Sequence, residues 1–376
     1  MKQNIIKSLL DDDLYKLTMG QVAFLKFRGK IAKYRFINRA GTEFPVGFDS
    51  AMKTEVLELG KLQFDSEELG WISRLPGIRS EYVGWLANFK MDPSQVKIDQ
   101  DGGKLSVEVE GEWCSAIFWE VKLMAIISEL YFRMTGQHKC QNWTEIVEEK
   151  TDRLNGCIWA DFGTRRRYSA AVQEAVIQTM KGVPGFIGTS NMLLAMQYNL
   201  KPIGTYAHES VMVAETLSGS AKANSAWMDI WTEVYGGLYS VALTDTFTTD
   251  AFLSEFDFAR ASKFQGVRHD SGDPVEWAGG ILSHYAALGI DAKTKTLVFS
   301  DGLTPEKLVE LTNLFGHRAI VVGGIGTNLT NDVGVKPLNM VIKMVEFNGV
   351  GTVKLSDDKG KRSGNPKDLD RVIKGL

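Results

Sequence analysis

Seven times between Ile158 and Gly326 the chain writes a short apolar run and ends it in a polar cluster: IWADFGT, GFIGTSN, IGTYAHE, SVALTDTF, GVRHDSGDP, TLVFSDGL and AIVVGGIGTN. Every run but the last is followed by a stretch long enough for a helix. Strand, polar tip and helix in repetition predict a parallel β/α barrel, whose active site gathers at the carboxyl ends of its strands. The polar tips are therefore expected to line one pocket.

A chain of 376 residues with 44% hydrophobic content has room for such a barrel and a smaller companion domain. Residues 1–125 read as an α+β layer. A helix is expected over Leu14–Phe27, a strand over Lys33–Arg39, and a strand pair, Val96–Ile98 with Leu105–Val109, joined through DGG. The apolar segment Val121–Met134 reads as a helix joining this layer to a barrel over 126–340. Residues 341–376 read as extended segments followed by a lysine-rich loop, KLSDDKGKRSGNPKD. The fold class expected is α/β, an irregular parallel barrel with an N-terminal layer domain.

A net charge of −3 gives no global attraction to nucleic acid or anionic membrane. Ile5–Leu10 is broken by Lys7 and ended by Asp11, Asp12 and Asp13, too short for a signal core, and no later run approaches about 18 apolar residues. The odd set Cys114, Cys140 and Cys157 reads as reduced thiols. A soluble cytoplasmic protein is expected, with no transition-metal site, since the histidines form no zinc spacing with the cysteines.

In DFGTRRRYS, Arg165, Arg166 and Arg167 are expected in the first turn of a helix capped by Thr164 and running to Lys181. Cations there oppose the helix dipole, so three together point to an anion; arginines paired to surface carboxylates are the plain alternative. Phe162 offers a ring to a flat ligand or to the core. Arg268, His269, Asp270 and Asp273 crowd one tip, with Asp273-Pro274 a helix opening and Asp270 left for a sugar hydroxyl or a Mg²⁺–phosphate group. Thr304-Pro305 opens another helix, Glu306–Phe315. Gly323 and Gly324 in VGGIGTN, with Asp301-Gly302 beside them, suit phosphate binding by backbone N–H groups. His208 stands at the mouth of the third run, a proton carrier or phosphate acceptor if not a core histidine. These pieces describe an enzyme binding a phosphorylated sugar and a small planar anion, with transfer at a sugar carbon through an oxocarbenium-like state.

DDDLYKLTM, YRFINR, DFGTRRR, GTSN, GTYAHE, VRHDSGDP, VGGIGTNLTND and KLSDDKGK, in that order from Asp11 to Lys361, resemble bacterial nicotinate phosphoribosyltransferases. The resemblance implies transfer of phosphoribose from phosphoribosyl pyrophosphate to nicotinate, coupled to ATP hydrolysis, with Mg²⁺ arriving on the phosphates, in a type II phosphoribosyltransferase fold assembled as a homodimer. It implies His208 as the phosphorylated histidine and Asp270 as a catalytic residue at a position holding ribose and phosphate. Tyr15, from the partner subunit, would stack on the pyridine ring opposite Phe162. Arg165, Thr189, Ser190, Asp245, Arg268, Asp301, Gly302, Gly323 and Gly324 would contact nicotinate or phosphoribose, and Arg39, Lys354 and Lys361 the pyrophosphate or ATP phosphates. Ser190 stands where nicotinamide-using relatives carry an aspartate, so a hydroxyl able to donate to a carboxylate favours the acid over the amide. A nicotinamide enzyme and a non-catalytic sensor are the competing readings.

Overall fold

The computed structural model describes residues 4–376. Three strands come early, β1 (Ile31–Asn38), β2 (Val96–Asp101) and β3 (Lys104–Glu112). Six short ones follow: β4 (Trp159–Asp161), β5 (Phe186–Thr189), β6 (Val241–Leu243), β7 (Gly266–His269), β8 (Thr296–Phe299) and β9 (Ile320–Ile325). The last two are β10 (Met340–Phe347) and β11 (Val350–Gly351).

β1 alternates Ala32, Tyr34 and Phe36 inward with Lys33 and Arg35 outward, the pattern of a strand with one buried face. It pairs antiparallel with β3 on one side and β10 on the other, in a five-stranded sheet ordered β11-β10-β1-β3-β2. The C-terminal strands thus complete the N-terminal layer. β2 and β3 turn through Gly102-Gly103, where Gly102 takes the positive φ of 55° that a two-residue hairpin requires. Behind the sheet lies the helix Trp119–Thr135, apolar almost all round and continuous through residue 125. It packs on the helix Phe48–Leu59, on β10 and on the turn at 164–166, and so carries the layer to the tips of the second sheet.

The second sheet is parallel, ordered β5-β4-β9-β8-β7-β6. Helices Pro274–Ala287 and Pro305–Phe315 start where expected, capped by Asp273 and Thr304 with proline at the first turn. Three expectations change. The run IGTYAHE forms no strand: Thr189 pairs with Pro202 by a single bridge, the Thr205 carbonyl accepts from Thr18 of the first helix, and only the Thr205 hydroxyl reaches Val241 of β6, at 2.8 Å. With its carbonyl taken by that helix, the segment cannot build a ladder between β5 and β6. The helix expected over Arg165–Lys181 begins at Ala170, with Ser169 as its cap, because Thr164–Arg166 is a tight 3-10 turn. Gly323 and Gly324 lie inside β9 rather than in a loop after it. Among the described residues, no helix is long and apolar enough to cross a membrane.

Close packing explains the two glycines. A Cβ on Gly323 would stand 2.4 Å from Leu308 Cδ2, and one on Gly324 2.4 Å from Cδ2 of the Phe162 ring. The ring cannot yield as a leucine terminus can. Gly324→Ala is therefore expected to destabilise the protein by about 1–3 kcal/mol, read as a lower urea midpoint at fixed protein concentration.

Candidate active site

The tips, the N-terminal layer and the C-terminal loop meet around a cavity of about 200 Å³. Tyr15 and Arg39 come from the layer, Arg165 and Arg166 follow β4, Asp270 follows β7, Ser300, Asp301 and Gly302 follow β8, and Lys354 and Lys361 reach in from the loop. His208 enters as the first residue of the helix His208–Ser218. Met340, Ile342, Lys343 and Met344 of β10 supply the wall opposite the tips.

One end suits a flat acid. The Arg165 guanidinium lies 5.9 Å from the centroid of the Tyr15 ring and 3.6 Å from Glu120. That separation leaves Arg165 loosely held and half exposed. Glu120 is tied instead to Lys16 at 2.6 Å, and Lys16 to Glu209 at 2.7 Å, with the ammonium completely buried. Tyr15 lines the pocket of its own chain. The reason is local: Leu14 N–H donates to the Ser190 carbonyl at 2.8 Å, which pins the start of the first helix to the tip of β5.

The other end is built on His208. Its Nε2 lies 2.8 Å from Asp270 Oδ2 and 2.9 Å from Lys354 Nζ, and its Nδ1 lies 3.2 Å from Thr246 Oγ1. Asp245 stands behind, 3.7 Å from Nε2 and 2.9 Å from Lys354, and accepts from Ser271 at 2.6 Å. Burial and then the Lys354 charge hold the His208 pKa below its ordinary value, outweighing the pull of the two carboxylates, so the imidazole is neutral. Burial alone would raise Asp270, yet the hydrogen bond from His208 and the Lys354 ammonium keep it well below the usual carboxylate range. His208, Asp245 and Asp270 cluster tightly enough to hold a metal ion, but Lys354 already places a positive charge among them. Lys361 pairs with Asp301 and donates to the Asp270 carbonyl at 3.2 Å.

Cations are in excess on the loop side. Burial, helped by Arg165 and Arg39, pushes Arg166 down to about 10, and burial, helped by Lys354 and Arg39, pushes Lys343 down to about 7. Two buried bases that both find it hard to stay charged among other cations mark a site suited to an anion.

Of the residues expected from sequence, Tyr15, Arg39, Arg165, His208, Asp270, Asp301, Gly302, Lys354 and Lys361 line the cavity. Asp245 backs it, while Thr189, Ser190, Arg268, Phe162, Gly323 and Gly324 stand outside its wall. Ser190 is not free to meet a substrate carboxylate, because its buried hydroxyl donates to Asp13 at 2.8 Å, and Thr189 donates to Asp161. Arg268 reaches the Tyr206 carbonyl at 3.2 Å. Phe162 leans on Gly324. The Gly323 N–H is taken by the Ile158 carbonyl at 2.9 Å, so it is closed to phosphate. The three arginines divide as well: Arg165 and Arg166 face the pocket, but Arg167 is buried in a forked pair with Asp11 at 2.7 and 2.8 Å. Glu120, Glu209, Lys343 and Thr246 went unread. Lys343 alternates like a solvent-facing strand residue, and Glu120 sits in an otherwise apolar helix where only its isolation could have marked it.

Residues 157–374 match the nicotinate phosphoribosyltransferase (NAPRTase) family, and residues 10–128 match its N-terminal domain. The nicotinate phosphoribosyltransferase of Desulforapulum autotrophicum is 43% identical over 99% of both chains, and that of Chromohalobacter salexigens 42% over 96% of both. The crystal structure of the Porphyromonas gingivalis enzyme superposes with a TM-score of 0.95 at 34% identity, covering 98% of this chain and 99% of that one. A putative nicotinate phosphoribosyltransferase from Saccharomyces cerevisiae gives 0.95 at 35%, covering 100% and 99%. The chain belongs to the nicotinate phosphoribosyltransferase family.

Proposed function

We propose that this protein transfers phosphoribose from phosphoribosyl pyrophosphate to the ring nitrogen of nicotinate, releasing pyrophosphate and forming nicotinate mononucleotide for NAD synthesis, with ATP hydrolysed through a phosphorylated His208. The observation that carries the reading is the excess of cations on the loop side of the pocket, where Arg39, Arg166, Lys343, Lys354 and Lys361 line the same cavity as His208. A polyphosphate matches those cations in charge. At the other end a pyridine carboxylate meets the loosely held Arg165 beside the Tyr15 ring. With the Ser190 hydroxyl committed to Asp13, preference for acid over amide rests on this guanidinium, which forms a forked pair with a carboxylate and not with a neutral amide.

Asp270, firmly ionised, takes its place as partner of His208 and as a negative charge near the sugar, where positive charge develops as pyrophosphate departs. Mg²⁺ fits as a companion of the phosphates: the buried Asp245 Oδ1 has no hydrogen-bond partner, and Asp270 and Asp301 are the carboxylates that would face the ion. When bound it neutralises phosphate charge. The parallel sheet, with the 201–206 segment spanning β5 and β6, is read as the irregular barrel of a type II phosphoribosyltransferase, and the protein as a cytoplasmic homodimer.

Three results test this. His208→Ala is expected to abolish stimulation by ATP and leave slow ATP-independent transfer; full stimulation in that variant removes His208 from the role. Arg165→Met is expected to raise KM for nicotinate about 10–100-fold, the worth of a lost charged hydrogen bond of about 1.5–3 kcal/mol, with KM for phosphoribosyl pyrophosphate little changed. Parallel assays with nicotinamide separate the amide-using alternative, and absence of pyrophosphate release marks a sensor. The third concerns protons. Above about pH 7 Lys343 is largely neutral, and a bound polyanion raises its pKa, so binding of inorganic pyrophosphate at pH 8 should take up a proton. Calorimetry in buffers of different ionisation enthalpy measures that uptake, which should shrink in Lys343→Met.

A further inference from the structure

The two ends of the pocket differ in charge. The loop side is rich in cations, whereas the acid end is balanced. There the completely buried Lys16 ammonium meets Oε2 of Glu120 at 2.6 Å and Oε2 of Glu209 at 2.7 Å, so one positive charge lies between two carboxylates. Arg165 supplies the second cation. Both oxygens of Glu209 are taken: Oε1 accepts from the Tyr34 hydroxyl and the Trp113 indole, each at 3.1 Å, and Oε2 from Lys16. Glu120 is different. Its Oε1 stands 3.6 Å from the Arg165 guanidinium, beyond hydrogen-bond distance, and the residue lines the cavity. Burial alone would raise its pKa, yet Lys16 and then Arg165 hold it below its ordinary value, so it is a carboxylate. Met124, one turn further along the helix Trp119–Thr135, lines the same cavity with a flexible thioether.

We propose that Glu120 is a specificity-determining residue: it restricts the acceptor to an aromatic ring bearing a single carboxylate and excludes ring dicarboxylates by charge. The inference rests on the reading of Arg165 as the guanidinium that receives the nicotinate carboxylate. A carboxylate forked on Arg165 has Glu120 at its flank. A second carboxylate on a neighbouring ring carbon is carried toward the same guanidinium, and so toward Glu120 Oε1, at an end of the pocket where Lys16 is already shared by two carboxylates. Like charges brought together in a partly desolvated site exclude a ligand that otherwise has the right shape. A neutral group on the same ring carbon meets no such penalty, and Met124 has the freedom to shift and admit it. The two oxygens of Glu120 thus divide the work: Oε2 holds Lys16, and Oε1 limits what Arg165 receives.

The test starts with the native full chain and needs no variant. Pyridine-2,3-dicarboxylate and pyridine-3,4-dicarboxylate are compared, as competitors of nicotinate, with the half-amides that keep the 3-carboxylate and carry a neutral carbamoyl group of the same shape. On at least one edge of the ring the half-amide should bind about tenfold or more tighter than its diacid, the order of a like-charge contact. In Glu120→Gln, whose amide oxygen can still accept from Lys16, that diacid should gain about tenfold or more relative to nicotinate, closing the gap to its half-amide. A selective gain in binding is not what a loosened fold produces, so it separates this role from that of a mere partner for Lys16. Native protein that binds diacid and half-amide alike on both edges overturns the proposal, and so does native protein that refuses both alike, since rejection is then by size. A folded Glu120→Gln protein with undiminished discrimination does the same. Arg165→Met with an unchanged KM for nicotinate removes the reading of the acid end itself, whereas the expected rise in that variant, beside unchanged discrimination in Glu120→Gln, removes Glu120 alone.

Discussion

Three consecutive aspartates join the two halves of this molecule, and each is buried against a different partner. Asp11 is forked to Arg167, Asp12 meets Lys122 at 2.5 Å with both side chains fully buried, and Asp13 accepts from Ser190. Backbone bonds from Met192 to Asp12 and from Leu193 to Leu10 lay the same segment along the tip of β5. Burying charge is expensive, so such pairs add little net stability, yet removing one partner strands the other at a cost of about 3–5 kcal/mol. The arrangement therefore permits one placement of the first helix and penalises others. Tyr15 and Lys16 follow immediately, and everything at the acid-binding end of the pocket depends on where they fall.

Lys16 carries that constraint across the site. Burial favours its neutral form, but Glu120 and Glu209 together outweigh burial and keep it charged. Glu120 neighbours Arg165, and Glu209 follows His208 in sequence, so one ammonium fixes the acid end and the phosphate end relative to each other. Glu209 also accepts from the Tyr34 hydroxyl and the Trp113 indole, each at 3.1 Å, which ties the start of the His208 helix to β1 and to the end of β3. Catalytic geometry is here a product of the layer as much as of the parallel sheet.

Local signals told the truth about local structure. Alternation found β1, the glycine pair found the β2–β3 turn, and Asp273-Pro274 and Thr304-Pro305 found two helix starts, because caps and pleats are decided within a few residues. Misreadings arose where a distant partner decided the outcome. Arg167 looks like its two neighbours, and only Asp11, 156 positions away, makes it a buried strut. Ser190 looks like a free hydroxyl until Asp13 claims it. The VGGIG run looks like a phosphate loop, but Phe162 and Leu308 need those two positions empty, and a strand without side chains satisfies them as well as a loop would. Most of the pocket was nonetheless legible, since strand tips converge by topology whatever the packing behind them.

The placement of the basic loop follows from strand register. Between Tyr34↔Met344 and Lys33↔Glu346 the ladder carries one extra residue, Val345, as a bulge in β10. Side chains alternate with period two, so Met344 and Phe347, three apart, would point to opposite faces of an unbroken strand. With the bulge both are buried, Met344 opposite Tyr34 and Phe347 opposite Ala32. Lys343, opposite Arg35, is left to turn its ammonium onto the Lys361 carbonyl and the Ser363 hydroxyl, at 3.3 and 3.2 Å. The Lys354–Ser363 backbone bridge then closes the loop on itself. A slip of one residue in the β1–β10 pairing would bury Lys343 in the core and carry Lys354 away from His208, so the ladder that completes the N-terminal sheet also sets the Lys354 ammonium 2.9 Å from Nε2 of His208.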